Sequence, residues 1–183
     1  MFISMSRIFN SDVDMRALLL LCFVSLSCLA KQDSKFLHLS PEIKAGPHYG
    51  TGITGWGMQL GLTDVYQTNS FYFNGGQVKY DFLTDTDEWK FYRLGVEHRL
   101  VKEEKISFQF ELGVIDYEGE RRFFTRKETR EGVGFSSAGA VVFNFNESLG
   151  IRFGLDVNVL DKDKTYQTSS TFINVNSGVI FRF

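Results

Sequence analysis

Cysteine and proline are scarce in this sequence: its 183 residues include only two of each. Both cysteines, Cys22 and Cys28, lie among the first 30 residues. The remaining chain therefore has no disulfide framework and no cysteine-based metal site. Neither sign of charge dominates, since 20 Lys and Arg stand against 22 Asp and Glu. This balance excludes a strong basic field for nucleic acid and an acidic, solvating tail.

Long apolar runs and ligand motifs are also missing. Beyond residue 30, no stretch approaches the about 20 apolar residues that a transmembrane helix needs. There is no His-x-x-x-His pair, calcium loop or phosphate-binding loop, so the sequence predicts no metal and no cofactor. Aromatics are abundant, with 19 Phe and 7 Tyr, and 17 glycines accompany them. Aromatic residues favour half-buried strands and glycines favour turns, which indicates an all-β chain.

Residues 1–30 have the pattern of a cleavable secretory signal peptide. Arg16 precedes the apolar run 17–24, and a small-residue pattern ending at Ala30 places the cleavage site after that residue. A buried core helix or a membrane anchor is the alternative interpretation, but the run is shorter than a bilayer-spanning helix. We therefore predict an exported protein with residues 31–183 as one mature domain.

Two details of this leader have alternatives. Met15 is an alternative start, because residues 11–14 before it are unusually polar for a leader. Cys28 is an alternative lipid acceptor, although Ser25 stands at the position where a lipoprotein signal usually has leucine. Both alternatives keep the prediction that the chain is exported.

The mature domain alternates between apolar and polar residues with a period of two, which is typical of strands with one apolar face. Within 149–160, Phe153 and Leu155 point to one side and Arg152 and Asp156 to the other. We predict a closed antiparallel up-and-down barrel of eight strands, each close to the about 9–11 residues that cross a bilayer at a tilt. The predicted strands are 36–46, 52–63, 70–82, 90–101, 105–117, 132–145, 148–160 and 171–183.

The third predicted strand changes its alternation midway. Phe71 and Phe73 share one parity, whereas Val78 and Tyr80 share the other. A β-bulge inserts one residue and so restores the side chains to their original faces. We therefore predict a bulge at residues 75–76, with Val78 and Tyr80 on the apolar face.

Alternation alone does not say which face lies inside. A soluble lipid-carrying barrel turns its apolar face inward, whereas an outer-membrane barrel turns it outward. The connections favour the membrane arrangement: those at 102–104 and 146–147 are tight, and those at 83–89, 118–131 and 161–170 are long. Outer-membrane barrels alternate short periplasmic turns with long outer loops. The connections on either side of the second strand are exceptions to this order.

The polar face carries both signs of charge. A narrow eight-stranded barrel is filled by side chains, and charges in its lumen must be paired. The predicted lumen charge network consists of Arg93, Glu97, Arg99, Glu111, Arg152 and Asp156. Further charged residues on the same predicted face are Glu42, Lys44, Lys79, Asp81 and Arg182. A solvated outer face is the alternative interpretation of this pattern.

The chain ends with an alternating strand, 179–183, in which Phe181 and Phe183 are aromatic. This ending resembles the terminal strand of Gram-negative outer-membrane proteins. In architecture the mature domain resembles the small eight-stranded outer-membrane barrels, the superfamily of outer membrane protein X and the transmembrane part of outer membrane protein A. The resemblance implies that the barrel-assembly machinery recognises Phe181 and Phe183. It also implies a monomer in contact with lipid and lipopolysaccharide, with a plugged lumen and a structural or surface-interaction role.

Two other functions fit a barrel of this size, a narrow channel and a lipid A-modifying enzyme. The enzyme requires a nucleophile, a base and an orienting acid. The candidate bases are His98, predicted near the periplasmic end, and His48, predicted in an outer loop. Leu100 and Val101 follow His98 in place of the His-x-Ser-Asn pattern of lipid A deacylases, and no Asp–Ser pair accompanies His48. We therefore predict no catalytic site.

Residues 120–130 form a basic segment with an aromatic pair, predicted to lie in an outer loop. Its candidate interaction residues are Arg121, Arg122, Phe123, Phe124, Arg126 and Lys127. Charge-assisted bonds from arginine to phosphate would allow contact with lipopolysaccharide, and sugars or a host surface are the other candidates. The alternative is a solvated hairpin tip whose residues continue the neighbouring strands.

Overall fold

The computed structural model describes residues 37–47, 52–66, 69–83, 85–100, 105–123 and 126–183. The predicted signal peptide, its cleavage site, His48 and Phe124 lie outside the described residues. The described part of the chain forms eight strands and one short 3-10 turn (Lys162–Lys164), and it has no helix long and apolar enough to span a bilayer. The strands are β1 (Leu37–Ala45), β2 (Ile53–Tyr66), β3 (Asn69–Phe82), β4 (Asp85–Arg99), β5 (Ile106–Phe123), β6 (Arg126–Asn144), β7 (Leu149–Val159) and β8 (Thr171–Arg182).

The eight antiparallel strands close into a barrel in which each strand pairs with its neighbours in sequence. β1 pairs with β8, with His38 opposite Arg182 and Ile43 opposite Ser177, so this seam joins the first strand to the last. Pro41 lies within β1, opposite Met58 of β2. This architecture confirms the predicted closed, up-and-down, all-β barrel.

The barrel is apolar outside and charged in the middle of its interior. On β7, Phe153 and Leu155 are 50% and 52% exposed, whereas Arg152 and Asp156 are 0% and 1% exposed. Successive side chains of a strand point to opposite faces, so the alternation of the sequence produces this division. The interior is not the apolar pocket of a soluble lipid carrier. The outward-facing apolar residues, here called the apolar belt, include Leu60, Leu62, Phe71, Phe73, Leu94, Val96, Phe110, Val114, Phe135, Phe143, Phe153, Leu155, Val175 and Phe181.

The two ends of the barrel are distinguished by the chain ends. Leu37 and Phe183 lie together at one end, the termini end, where Leu37 N donates to Phe183 O at 3.2 Å. The opposite end, called the far end, carries the connections between β1 and β2, β3 and β4, β5 and β6, and β7 and β8. The connection from β7 to β8 is long, as predicted for residues 161–170.

Three strands are longer at the far end than the sequence predicts. β4 begins at Asp85 rather than at residue 90, β5 ends at Phe123 rather than at residue 117, and β6 begins at Arg126 rather than at residue 132. The predicted long connections at 83–89 and 118–131 are therefore wrong, because most of these residues are paired strand.

The physical reason for these longer strands is cross-strand charge pairing. Apart from Trp89 and Phe123, the residues of the extra strand segments are polar or glycine, so no apolar alternation marks these segments in the sequence. Opposite charges nevertheless stand across from each other, as Lys79 does from Glu88 and Arg121 from Glu128. Such pairs stabilise neighbouring antiparallel strands without an apolar core.

The predicted β-bulge at residues 75–76 is also wrong. β3 pairs with β2 and β4 without a register shift through Gly75 and Gly76. Val78 is consequently buried in the lumen, while Lys79 and Asp81, expected in the lumen, are exposed outside. The apolar side of β3 changes face because, beyond the apolar belt, the outer face of the strand meets water. Register shifts occur instead near Lys44 and between β2 and β3 past Leu62.

Candidate functional site

The middle of the lumen holds an ion cluster of three cations and three anions, made of Glu42, Lys44, Arg93, Glu111, Arg152 and Asp156. Lys44 Nζ lies 2.6 Å from Asp156 Oδ2 and 2.7 Å from Glu42 Oε1. Arg93 lies 3.0 Å both from Asp156 Oδ1, through Nη1, and from Glu111 Oε2, through Nε. Because the signs balance and every carboxylate is paired, these charges can stay buried.

Arg152 completes the ion cluster. It pairs with Glu42 and, at 3.4 Å, with Glu111 Oε1. Asn74 Nδ2 donates to both carboxylates, at 3.2 Å to Glu42 and 2.9 Å to Glu111. The Phe91 ring provides further contact, since Lys44 Nζ lies 4.3 Å from its centroid. The cluster therefore links side chains from opposite walls of the barrel across the lumen.

A second polar layer fills the lumen toward the termini end. Arg182 Nη2 donates to Glu97 Oε1 at 2.5 Å, and Gln109 Nε2 donates to Glu97 Oε2 at 3.0 Å. Gln59 Nε2 donates to Gln109 Oε1 at 3.3 Å, and Gln59 Oε1 lies 3.0 Å from His38 Nε2. This layer pairs Glu97, another buried carboxylate of the lumen wall, with an arginine from the last strand.

The structure brings together most of the predicted lumen network. Arg93, Glu111, Arg152 and Asp156 lie in the ion cluster, and Glu97 lies in the second layer. Arg99 does not join them. Its side chain is partly exposed and pairs at 3.4 Å with Asp64, another partly exposed residue near the termini end.

Sequence reasoning placed Glu42, Lys44 and Arg182 on the polar face but did not include them in the network. The uncharged members, His38, Gln59, Tyr72, Asn74 and Gln109, were not included in the predicted network either, although all five are buried in the lumen. Their signal in the sequence is parity, since each stands between two outward-facing residues of its strand.

An apolar plug fills the lumen toward the far end. It consists of Val78, Trp89, Phe91, Ile115, Tyr117, Leu160 and Phe172. Trp89 is fully buried, and its ring centroid lies 5.6 Å from that of Tyr117 and 5.5 Å from that of Phe172. Trp89 and Phe91 share the parity of Arg93 on β4, which is the signal that would have placed them inside. Together with the ion cluster, the plug leaves the interior filled by side chains.

The segment between β7 and β8 folds onto the far mouth of the barrel. The Tyr166 ring lies between two guanidinium groups, those of Arg121 and Arg130, each 4.5 Å from its centroid. Tyr117 Oη donates to Asp87 Oδ1 at 2.5 Å and accepts from Tyr166 N at 3.2 Å. Burial, together with this bond to the Asp87 carboxylate, raises the pKa of Tyr117 to about 12. The contacts hold the segment against the strands.

β3 to β6 continue beyond the apolar belt as a sheet, here called the strand extension. On β5, the outward-facing residues are apolar up to Val114 and charged beyond it, at Asp116, Glu118, Glu120 and Arg122. The strand extension consists of residues 79–82, 85–90, 116–123 and 126–133. Its lumen side meets the segment between β7 and β8, and its tip lies beyond every other strand of the barrel.

The basic residues predicted in an outer loop lie on the strand extension and divide between its two faces. Arg121 faces the lumen side and donates to Asp87 Oδ2 at 2.8 Å. Arg122 and Lys127 lie on the outer face, where Glu120 accepts from both, at 2.5 Å and 2.7 Å. Two hydrogen bonds lower the pKa of Glu120, and the one from Lys127 has a larger effect than the one from Arg122.

The remaining described candidates of this segment, Phe123 and Arg126, lie where β5 ends and β6 begins. Arg126 is exposed at the start of β6, and the backbone of Phe123 ends β5 opposite it. Phe124 lies outside the described residues. The basic segment therefore forms two paired, charged strands. This agrees with the alternative interpretation, in which its residues continue the neighbouring strands.

No protein-family model and no curated protein matches the sequence. Solved structures do match the fold. Ail, the attachment invasion locus protein of Yersinia pestis, superposes with a TM-score of 0.58 at 14% identity, covering 80% of this chain and 95% of Ail. The N-terminal β-barrel domain of Pseudomonas aeruginosa OprF gives 0.55 at 10% identity (83% and 100% covered), and Neisserial surface protein A gives 0.52 at 10% (82% and 98%). The chain has the fold of the small eight-stranded outer-membrane barrels.

In this outer-membrane barrel fold, the predicted assembly residues lie on the outer wall of the last strand. Phe181 and Phe183 are exposed at the termini end, and Phe183 N donates to Leu37 O at 3.0 Å. The two aromatic rings therefore occupy the apolar belt beside the β1–β8 seam.

Of the two candidate catalytic bases, only His98 lies among the described residues, and its hydrogen-bond partner is Asn69 rather than a nucleophile. His98 is exposed on β4, and its Nδ1 lies 2.8 Å from Asn69 Oδ1. His38 is buried beside Gln59 and stacks on Tyr72, with ring centroids 5.2 Å apart. No group of three metal-ligating side chains occurs within the described ranges.

Proposed function

We propose that the chain is an outer-membrane protein of a Gram-negative bacterium, a monomer whose barrel spans the bilayer and whose strand extension contacts partners at the cell surface. The observation that carries this proposal is that the apolar face of the wall points outward, as Phe153 does, whereas the charged face points into the lumen, as Asp156 does. Moving apolar surface from water into contact with acyl chains is favourable by about 25 cal/mol per Å² of that surface. Closure of the sheet also supports the proposal, because a bilayer requires paired backbone groups.

Cell fractionation combined with heat-modifiable electrophoresis tests this location. The chain is expected in the outer-membrane fraction, and the unboiled protein is expected to migrate faster than the boiled one. Mass spectrometry of the same sample tests whether residues 1–30 are removed. Recovery of a folded chain from the periplasm without detergent would contradict the proposal.

We propose that the barrel does not conduct. Three features support this: the ion cluster, the buried Trp89 of the apolar plug and the Tyr166 segment at the mouth. A narrow eight-stranded barrel is filled by its own side chains. In planar bilayers, the purified protein is expected to give no discrete conductance steps. Reproducible single-channel openings would establish the narrow channel instead.

The strand extension reaches beyond the lipid headgroups. β5 continues for nine residues past Val114, to Phe123. At about 3.3 Å per residue this is roughly 30 Å of strand. The headgroup region on one side of a bilayer is only about 5–8 Å thick. Even at the tilt of barrel strands, the tip of the extension lies in solution at the cell surface.

We propose that the exposed cations of the extension contact phosphates of lipopolysaccharide or anionic sugars. Arg122, Arg126 and Lys127 supply charge-assisted donors for such groups. A structure of Ail was solved with the heparin analogue sucrose octasulfate. Replacing the three residues by glutamine is expected to weaken binding of purified lipopolysaccharide, whereas Lys79→Gln with Lys90→Gln, on the other side of the extension, leaves it unchanged. Equal loss in both variants would contradict the assignment.

We propose a structural and binding role without catalytic turnover. The exposed His98 has Asn69 rather than a nucleophile beside it. Overexpression is therefore expected to leave the mass spectrum of lipid A unchanged. A new acylated or deacylated lipid A species that depends on His98 or His48 would establish the enzyme instead.

A further inference from the structure

Part of β6 is an open sheet edge. β6 pairs with β5 from Arg126 to Phe143, but its pairing with β7 begins only at Phe135, opposite Val159. Among the described residues, no backbone hydrogen bond joins 126–134 to a strand on the β7 side. An unpaired edge offers a row of N–H and C=O groups to another extended strand. The strand extension therefore carries a backbone site for strand addition.

The side chains along this edge have an antisymmetric order of charge. The order is Lys127, Glu128, Thr129, Arg130, Glu131, and all five residues are exposed. In a second copy laid antiparallel with Thr129 opposite Thr129, Lys127 stands opposite Glu131 and Glu128 stands opposite Arg130. Opposite charges and threonine pairs directly across antiparallel strands are stabilising. Every charged residue of the central five thus finds its opposite in an identical chain.

Neighbouring registers lose this complementarity. A shift by one residue in one direction places Lys127 opposite Arg130, and a shift in the other places Glu128 opposite Glu131. Like charges directly opposite each other are destabilising, and a one-residue slip also turns the side chains to the other face. A charged edge further discourages pairing with uncharged strands. The edge is therefore selective for a second copy in one register.

We propose that two copies in facing membranes pair antiparallel through residues 127–131 of β6, which makes the strand extension a homotypic adhesion surface. β6 runs from the far end toward the apolar belt. Two antiparallel β6 strands therefore direct their belts away from each other, as in two opposed outer membranes. Two barrels in one membrane have the same orientation and cannot pair in this way. The inference rests on the proposed function, since it requires a bilayer-inserted barrel with its far end outward.

The two cations of this edge are already held in place, one on each face of the sheet. Lys127 Nζ lies 2.7 Å from Glu120 Oε2 on the outer face. Arg130 Nη1 donates to Thr165 O at 2.7 Å and lies over the Tyr166 ring on the lumen side. Such preorganisation lowers the entropy lost on pairing. Exposed ion pairs are individually weak and screened by salt, so adhesion relies on many copies per surface.

Clustering of proteoliposomes that carry the purified full-length barrel tests the proposal. Two variants remove the complementarity: an acidic edge, Lys127→Glu with Arg130→Glu, and a basic edge, Glu128→Lys with Glu131→Lys. Wild-type vesicles are expected to cluster, and each variant alone is expected to cluster at least roughly tenfold more slowly. Acidic-edge vesicles mixed with basic-edge vesicles are expected to cluster again, because all four charge pairs are restored. Wild-type clustering is expected to disappear at about 1 M salt.

A matched control separates strand pairing from general charge attraction. Lys79→Glu with Lys90→Glu makes the same change of charge on β3 and β4, away from the edge. This variant is expected to cluster with itself as the wild type does and to join basic-edge vesicles no better than the wild type does. Heat-modifiable migration of every sample shows that the barrel is inserted. An inserted wild type that does not cluster, or a mixture that clusters no better than either variant alone, overturns the inference while the proposed membrane location stands.

Discussion

Lys44 Nζ of β1 and Asp156 Oδ2 of β7 lie 2.6 Å apart, although 112 positions separate the two residues in the sequence. The two strands are not neighbours, since β8 stands between them in the barrel. Arg93, from β4 on the opposite wall, reaches the same carboxylate at 3.0 Å. One buried side chain therefore connects three strands across the lumen.

Removing this carboxylate should destabilise the barrel. Asp156→Leu leaves Lys44 and Arg93 buried with one anion fewer, and breaking a buried pair in this way costs about 3–5 kcal/mol. Urea unfolding in lipid vesicles, followed by tryptophan fluorescence, measures the loss. Asp81→Leu, at an exposed carboxylate on the outer face, is the control and should change the free energy of unfolding by about 0.5 kcal/mol or less. Equal effects of the two substitutions would show that the ion cluster does not contribute specially to the stability of the barrel.

The two tryptophans report which face of the wall meets lipid. Trp56 is 53% exposed on the outer wall, and Trp89 is fully buried in the apolar plug. Brominated acyl chains quench a tryptophan that they touch. Fluorescence of the Trp89→Phe chain, which retains Trp56, should be strongly quenched, and that of the Trp56→Phe chain should be nearly unaffected. The reverse result would mean that the orientation of the faces is wrong.

Two glycines offer a matched test of space. A Cβ on Gly76 would lie 2.5 Å from Gly57 Cα and 2.6 Å from Phe91 Cζ, whereas a Cβ on Gly139 meets nothing within 4 Å. Gly76→Ala should destabilise the barrel by about 1–3 kcal/mol through overpacking. Gly139→Ala should be neutral or should stabilise it by up to about 1 kcal/mol, because glycine is costly within a strand. Urea unfolding of both variants checks the difference, and a tolerated Gly76→Ala would contradict the packing of the lumen.

Tyr117 gives a prediction for pH. Its pKa is raised to about 12 by burial and by its bond to Asp87, and the unfolded phenol titrates near 10. The contribution to stability is therefore complete below pH 10 and is lost as pH rises through 12. A difference titration of phenolate absorbance, wild type minus Tyr117→Phe, should show one group that ionises near 12. Ionisation of that group near 10 would show that Tyr117 is not held as described.

The terminal aromatics should matter for assembly more than for stability. Phe181→Ala with Phe183→Ala should lower the amount of folded barrel in the outer membrane of cells several-fold, if the assembly machinery reads this strand. Refolding of the purified variant into detergent should change much less. Phe153→Ala, which loses a similarly exposed ring from β7, serves as the control. Equal loss of assembly in this control would leave Phe181 and Phe183 without a special role.

The fold was predictable because one rule covers the apolar belt of every strand. Within the belt, an apolar outer wall on one side and a crowded polar lumen on the other require a strict alternation, as Phe153 and Asp156 show on β7. The rule fails where the surroundings change. Beyond the belt, water touches the outer face, so Val78 turns inward, Lys79 turns outward and the strands of the extension carry charge on both faces.

The sequence by itself determined the number of strands and, within the apolar belt, which side chains enter the lumen, because both follow from the apolar–polar alternation along each strand. Only the tertiary structure decided which buried charges meet, as Lys44 and Asp156 do, and that Arg99 stays outside the cluster. The tertiary structure also decided that β6 extends beyond the end of β7, so that no strand pairs with residues 126–134 on that side. These features depend on the register and tilt of all the strands around the closed barrel. The sequence of a single strand does not specify them.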